Sequence, residues 1–142
     1  MAEKPKIFMS NWASEKSPGH HGPGRLFSIM VKTPWFARST GLVDVLVPPA
    51  AALWDLKGGQ IDMPTYKRIY LEKLDQWAAR LSPGKLVADA GGGLVVVASG
   101  DTVCCSCARS EAAAGRCHRR WAAERLAESG WNVVLDGVPF AA

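Results

Sequence analysis

Thr102-Val103-Cys104-Cys105-Ser106-Cys107, followed later by Cys117-His118-Arg119-Arg120, is the stretch on which the reading of this chain turns. Its first piece is apolar without alternation, which fits a strand buried on both faces. Its second piece opens a helix from Cys117 to Ser129, with Trp121, Ala122 and Leu126 facing inward. Gly130 suits the left-handed position just past the end of that helix. Trp131-Asn132-Val133-Val134-Leu135 then reads as a strand. Strand, helix, strand is a βαβ rhythm, so a mostly parallel sheet is the expected core.

The same rhythm extends toward the N-terminus. Lys6 to Trp12 reads as a first strand, Leu26 to Val31 as a second that Pro34 ends, and Leu42 to Val47 as a third closed by Pro48 and Pro49. Ala50 to Leu56 suits a short helix stopped by Gly58 and Gly59. A long helix follows, with Asp62 as N-cap and Pro64 near the first turn. Tyr66, Ile69, Tyr70, Leu74, Trp77 and Leu81 form its apolar stripe, and Ser82-Pro83-Gly84 ends it. Leu94 to Val97 reads as a strand or a buried hairpin arm, and Glu111 to Ala114 as one helical turn. The expected fold is a single compact α/β domain over residues 1–142, Rossmann-like, with helices flanking the sheet.

Composition agrees and excludes several classes. The chain has 142 residues, of which 48% are hydrophobic and 21% charged, which suits one domain and not a disordered chain. No apolar run approaches the roughly 20 residues that cross a bilayer, and the N-terminus shows no secretory signal. The net charge of +4 favours an anionic partner, but there is no Lys/Arg run of the kind a dedicated nucleic-acid binder carries. The four cysteines all lie between positions 104 and 117. That clustering suits a local site in a reducing compartment, so a cytoplasmic protein is expected.

The clustered cysteines sit where a strand ends and a helix begins, the usual ligand position in open α/β sheets. Unpaired N–H groups at the helix start, together with Arg116, His118, Arg119 and Arg120, describe an anion-binding pocket with activated thiols. Three readings compete. Cys105 or Cys117 is a reactive thiolate; or Cys105, Cys107, Cys117 and His118 hold zinc; or the thiols are buried core. The zinc spacing is not the common Cys-x-x-Cys, and the adjacent Cys117 and His118 would have to turn toward one ion. His20 and His21, in a Gly/Pro-rich loop, are candidates to close over the pocket, though a plain surface pair accounts for them as well. Tyr66 and Tyr70 suit the core, and Lys32 and Arg38 the surface. Gly91-Gly92-Gly93 lacks the spacing of a phosphate loop.

Taken in order, these pieces resemble a known family. They are Ile7-Phe8-Met9-Ser10-Asn11, Ser28-Ile29 with Pro34-Trp35-Phe36, Leu46-Val47-Pro48, Leu53-Trp54 and Lys57-Gly58-Gly59-Gln60-Ile61. Tyr66 and Tyr70 follow, then the strand ending at Cys105, and Cys117-His118-Arg119. The chain is similar over almost its whole length to the bacterial, archaeal and phage family catalogued as domain of unknown function four hundred and eighty-eight. The resemblance implies a compact α/β fold with a site at Cys105, Cys117, His118 and Arg119. It implies no known reaction. The family commonly has Glu where this chain has Cys107, and the connection from there to Cys117 is longer here, with Ser110 to Arg116 resembling an insertion.

The function expected from the residues is binding of an anionic ligand, nucleotide or phosphate-like, or derived from a nucleic acid, at the Cys117 helix start. In a processing version the Cys105 or Cys117 thiolate attacks or is oxidised, His118 shuttles a proton and Arg119 holds the anion. The alternative is a non-enzymatic, zinc-stabilised or simply packed module that engages another macromolecule, for instance a phage factor acting on a host protein. No membrane partner is expected.

Overall fold

A computed structural model describes residues 3–14, 17, 19–107, 111 and 114–140. One sheet organises them, with strand order β5-β4-β3-β2-β6-β1-β7-β8. The strands are β1 (Lys6–Asn11), β2 (Leu26–Ser28), β3 (Gly41–Leu42), β4 (Val87–Asp89), β5 (Leu94–Val96), β6 (Thr102–Cys105), β7 (Asn132–Leu135) and β8 (Val138–Pro139). The centre, β3-β2-β6-β1-β7, is parallel, and the outer pairs β3–β4, β4–β5 and β7–β8 are antiparallel. The helices are α1 (Ala50–Lys57), α2 (Met63–Gln76) and α3 (His118–Glu128). The protein is therefore α/β with a mostly parallel sheet, and no helix among the described residues is long and apolar enough to cross a membrane.

Register assigns each side chain to a face, because successive strand residues point to opposite sides. Asn11 pairs with Cys105, Met9 with Val103, and Ser10 with Cys104. The face that carries Met9, Val103, Cys105, Phe27 and Leu135 joins Ala52 of α1, Tyr70 and Leu74 of α2, and Trp121, Ala122 and Leu126 of α3 in one core. All three helices thus cover the same face. The opposite face is covered by loop: Gly22 N–H donates to Thr102 Oγ1 at 2.8 Å, and Gly24 N–H to Gly100 O at 2.9 Å. A side chain at Gly22 would collide with Gly100 O and the Phe8 ring, so only glycine lets the loop lie this close.

The helix signals in the sequence correspond to real chemistry. The Asp62 carboxylate accepts from Thr65 N–H at 2.9 Å and caps α2. Gly59 at φ +75° follows the end of α1. Cys117 is the N-cap residue of α3 and Ser129 closes it.

Other expectations need correction. The third strand is only Gly41–Leu42, and the apolar Val43–Val47 segment turns through a 3-10 helix (Asp44–Leu46). Tyr70 OH donates to Leu46 O there at 2.7 Å, satisfying in the core what a sheet ladder would otherwise have bound. The second strand stops at Ser28 rather than Val31. α2 ends at Gln76, and a 3-10 turn (Ala78–Arg80) follows, so Trp77 leaves the buried stripe and lies under Arg80, whose guanidinium is 4.7 Å from the ring centre. Leu94 to Val97 gives β5, but β5 is the sheet's outermost strand, with Leu94 and Val96 exposed. The strands β4 and β8 have no counterpart among the expected elements. Residues 112 and 113 of the predicted turn at Glu111 to Ala114, and with them residue 110 of the segment that resembles an insertion, lie outside the described residues.

Candidate functional site

Three thiols and an imidazole meet where β6 ends and α3 begins. Ligand atoms of Cys105, Cys107, Cys117 and His118 all lie within 4.8 Å of one another, a cluster that could bind a metal ion. Cys105 ends β6, Cys107 follows it, Cys117 occupies the N-cap position of α3 and His118 is the first residue of that helix. Cys105 Sγ and Cys117 Sγ are 3.4 Å apart.

Arg119 binds the cluster together. It is fully buried, and its Nη1 donates to Cys105 Sγ at 3.1 Å and to Cys107 O at 2.8 Å, with Cys117 Sγ at 3.7 Å. Its Nε and Nη2 donate to the two carboxylate oxygens of Asp136, at 3.2 and 3.0 Å. The guanidinium is thus committed inside the protein, facing sulfur on one side and carboxylate on the other. His118 Nε2–H donates to Ile29 O at 2.7 Å, which leaves Nδ1 with the lone pair. The Tyr70 ring packs edge-on against the imidazole, with 5.6 Å between centroids.

The three thiols of the cluster are shifted in opposite directions. Burial opposes ionisation of Cys105, but hydrogen bonds from the Cys107 and Cys117 thiols and the nearby Arg119 charge outweigh it and hold its pKa well below the ordinary thiol value. Donating to Cys105 pushes Cys107 up to about 11, and Cys117 is raised further for the same first reason. Burial lowers the His118 pKa, so its imidazole is neutral at pH 7. Burial works against the charge of Arg119, and the Cys105 charge and Asp136 more than restore it.

Cys105, Cys107 and His118 form part of the lining of a cavity of about 500 Å³. Met30, Trp54, Met63 and Tyr66 give it apolar walls, and Lys32, Lys57 and Arg116 line it too. Arg116 is paired with Glu111 at 2.7 Å, and Lys57 lies 5.0 Å from the centre of the Trp54 ring. The cavity lies at the carboxyl ends of β2 and β6, the position expected for a ligand in such a sheet.

The structure separates other candidates from this cluster. His21 Nε2 lies 3.2 Å from Asn11 O and 3.7 Å from Cys104 Sγ, on the loop-covered face, and neither His20 nor His21 lines the cavity. Lys32 and Tyr66 line it, and Arg38 does not. The site also contains groups that the sequence reading did not assign to it: Asp136, the Ile29 carbonyl, and Asn11, whose Nδ2 donates to Cys107 O at 2.9 Å. Asp136 had a local signal. Asp136-Gly137 is a favoured two-residue hairpin turn, and both residues have positive φ, 51° and 83°.

Compared with protein-family models, curated proteins and solved structures, the chain has no match.

Proposed function

We propose that this chain binds a small anionic ligand with a planar apolar body, of the nucleotide class, in the cavity above the cysteine cluster. One observation carries the reading: the cavity has aromatic and aliphatic walls, Lys32 and Lys57 in its lining, and, among the described residues, no Asp or Glu in that lining. An apolar pocket with a few convergent charges of one sign selects a ligand that is apolar at one end and oppositely charged at the other. Trp54 and Tyr66 put aromatic rings in the lining for a base to pack against, and the lysines suit a phosphate. Arg119, already engaged by Asp136, Cys105 and Cys107, holds the floor rather than the ligand. A Rossmann-like use of strand ends, and a reducing compartment such as the cytoplasm that keeps these thiols reduced, belong to the same reading.

Calorimetric titration of the intact chain with adenosine monophosphate and with adenosine tests it. The phosphate-bearing compound should bind at least about tenfold more tightly, a difference of about 1.4 kcal/mol. The Lys32→Ala/Lys57→Ala double variant should lose that advantage. Equal affinity for the two compounds, or no binding across the four common nucleoside monophosphates, overturns the reading.

A further inference from the structure

We infer that Cys105, Cys107, Cys117 and His118 hold one zinc ion in a closed four-ligand site that forms the floor of the cavity. Their ligand atoms lie within 4.8 Å of one another. Tetrahedral zinc, with bonds of about 2.3 Å to sulfur and about 2.0 Å to nitrogen, sets its ligand atoms roughly 3.5–3.8 Å apart. Cys105 and Cys117 are at 3.4 Å, close to that spacing. Coordination therefore asks for side-chain adjustment on the order of 1 Å and no rearrangement of the strand or helix. Three sulfurs and one imidazole select zinc or another soft cation over magnesium or calcium, which prefer oxygen.

The backbone explains how adjacent residues reach one ion. Cys117 is extended, at φ −122° and ψ 137°, and His118 begins the helix. Within a regular helix, successive side chains would point about 100° apart. The change of conformation at Cys117 removes that divergence.

The surroundings complete the site. His118 Nε2–H is held by Ile29 O, so Nδ1 is the free donor atom, the arrangement that orients a metal-bound imidazole. Asn11 Nδ2 and Arg119 Nη1 both donate to Cys107 O and hold the backbone that carries the third thiol. Three thiolates around a dication carry a net charge of −1, and the buried Arg119, 3.1 Å from Cys105 Sγ, offsets it. Binding releases the remaining thiol protons to solvent and changes no oxidation state. The inference is independent of the nucleotide reading, since metal content is measured without any ligand.

Untagged full-length chain, purified from zinc-supplemented medium under reducing conditions, should carry about one zinc per chain by elemental analysis. Cys107→Ser and His118→Ala should lose it, and Cys104→Ser should keep it. Because either loss could follow from misfolding, cobalt(II) is titrated into metal-stripped wild-type protein as a second measurement. Intense visible d–d absorption with sulfur-to-cobalt charge transfer, abolished by one equivalent of zinc, is the expected result. Folded wild-type protein that takes up no metal, or shows only the weak spectrum of six-coordinate cobalt, overturns the inference and returns the sulfurs to thiol chemistry. Full zinc content in Cys107→Ser also overturns it.

Discussion

Cys104 and Cys105 are neighbours in β6, yet they occupy different chemistry. Cys105 points to the helix-covered face, where it meets Cys117, Arg119 and the cavity. Cys104 points to the loop-covered face, where its sulfur lies 3.7 Å from His21 Nε2. Both are buried, so burial does not distinguish them. What distinguishes them is strand parity: a shift of one residue exchanges the two faces. The helix face combines the main core with the polar cluster, and the loop face is closed by turns and short hydrogen bonds.

The contrast can be broken at several points. The largest effect should come from Trp121→Ala, which empties the centre of the helix face and costs about 4 kcal/mol in urea unfolding. Phe8→Ala, on the half-buried loop face, should cost less than half of that. If the two were equal, the loop face would be a second core and the comparison would fail.

Next is Arg119→Leu, at about 3 kcal/mol, because it leaves Asp136 without its cation and Cys107 O without one of its donors. A smaller loss, about 2 kcal/mol by thermal unfolding, is expected for Gly22→Ala, since a methyl group there must displace the loop from Phe8.

The smallest change in stability, and the sharpest difference between the faces, concerns the two thiols. In metal-stripped protein, iodoacetamide should modify Cys105 first, and Cys105→Ser should remove that phase while Cys104→Ser leaves it intact. An ordinary thiol with a pKa near 9.0 loses about tenfold in thiolate for each pH unit below it. Cys105 is held below that value, so its rate should persist as pH falls toward neutrality and drop only when the lower pKa is crossed. A rate that falls tenfold per unit from pH 9 downward would show that Arg119 and the neighbouring thiols do not stabilise the thiolate.

Much of the site was legible because its residues are close in sequence. Cys105, Cys107, Cys117 and His118 stand at a strand end and a helix start, and both ends carried local signals: an unbroken apolar run and a periodic one. Asn11 and the Ile29 carbonyl were not legible, because they arrive through parallel pairing of β1 and β2 with β6, and register between distant strands leaves no mark in either segment alone. Leu42–Val47 and Leu94–Val97 show the other limit. Both are apolar runs, but one turns into the core and the other lies at the rim of the sheet. An apolar run records a wish to be buried, and which surface answers it is decided elsewhere in the chain.

The outermost strand β5 has a practical consequence for anyone concentrating this protein. Between Gly91 and Gly100 there is no charged residue, and Leu94 is 73% exposed and Val96 47%. Peptide groups along that border have no neighbouring strand among the described residues. Such a border offers main-chain groups to a neighbouring molecule, and the Arg25 guanidinium, which donates to Val96 O at 2.9 Å, is the charge that stands against that pairing.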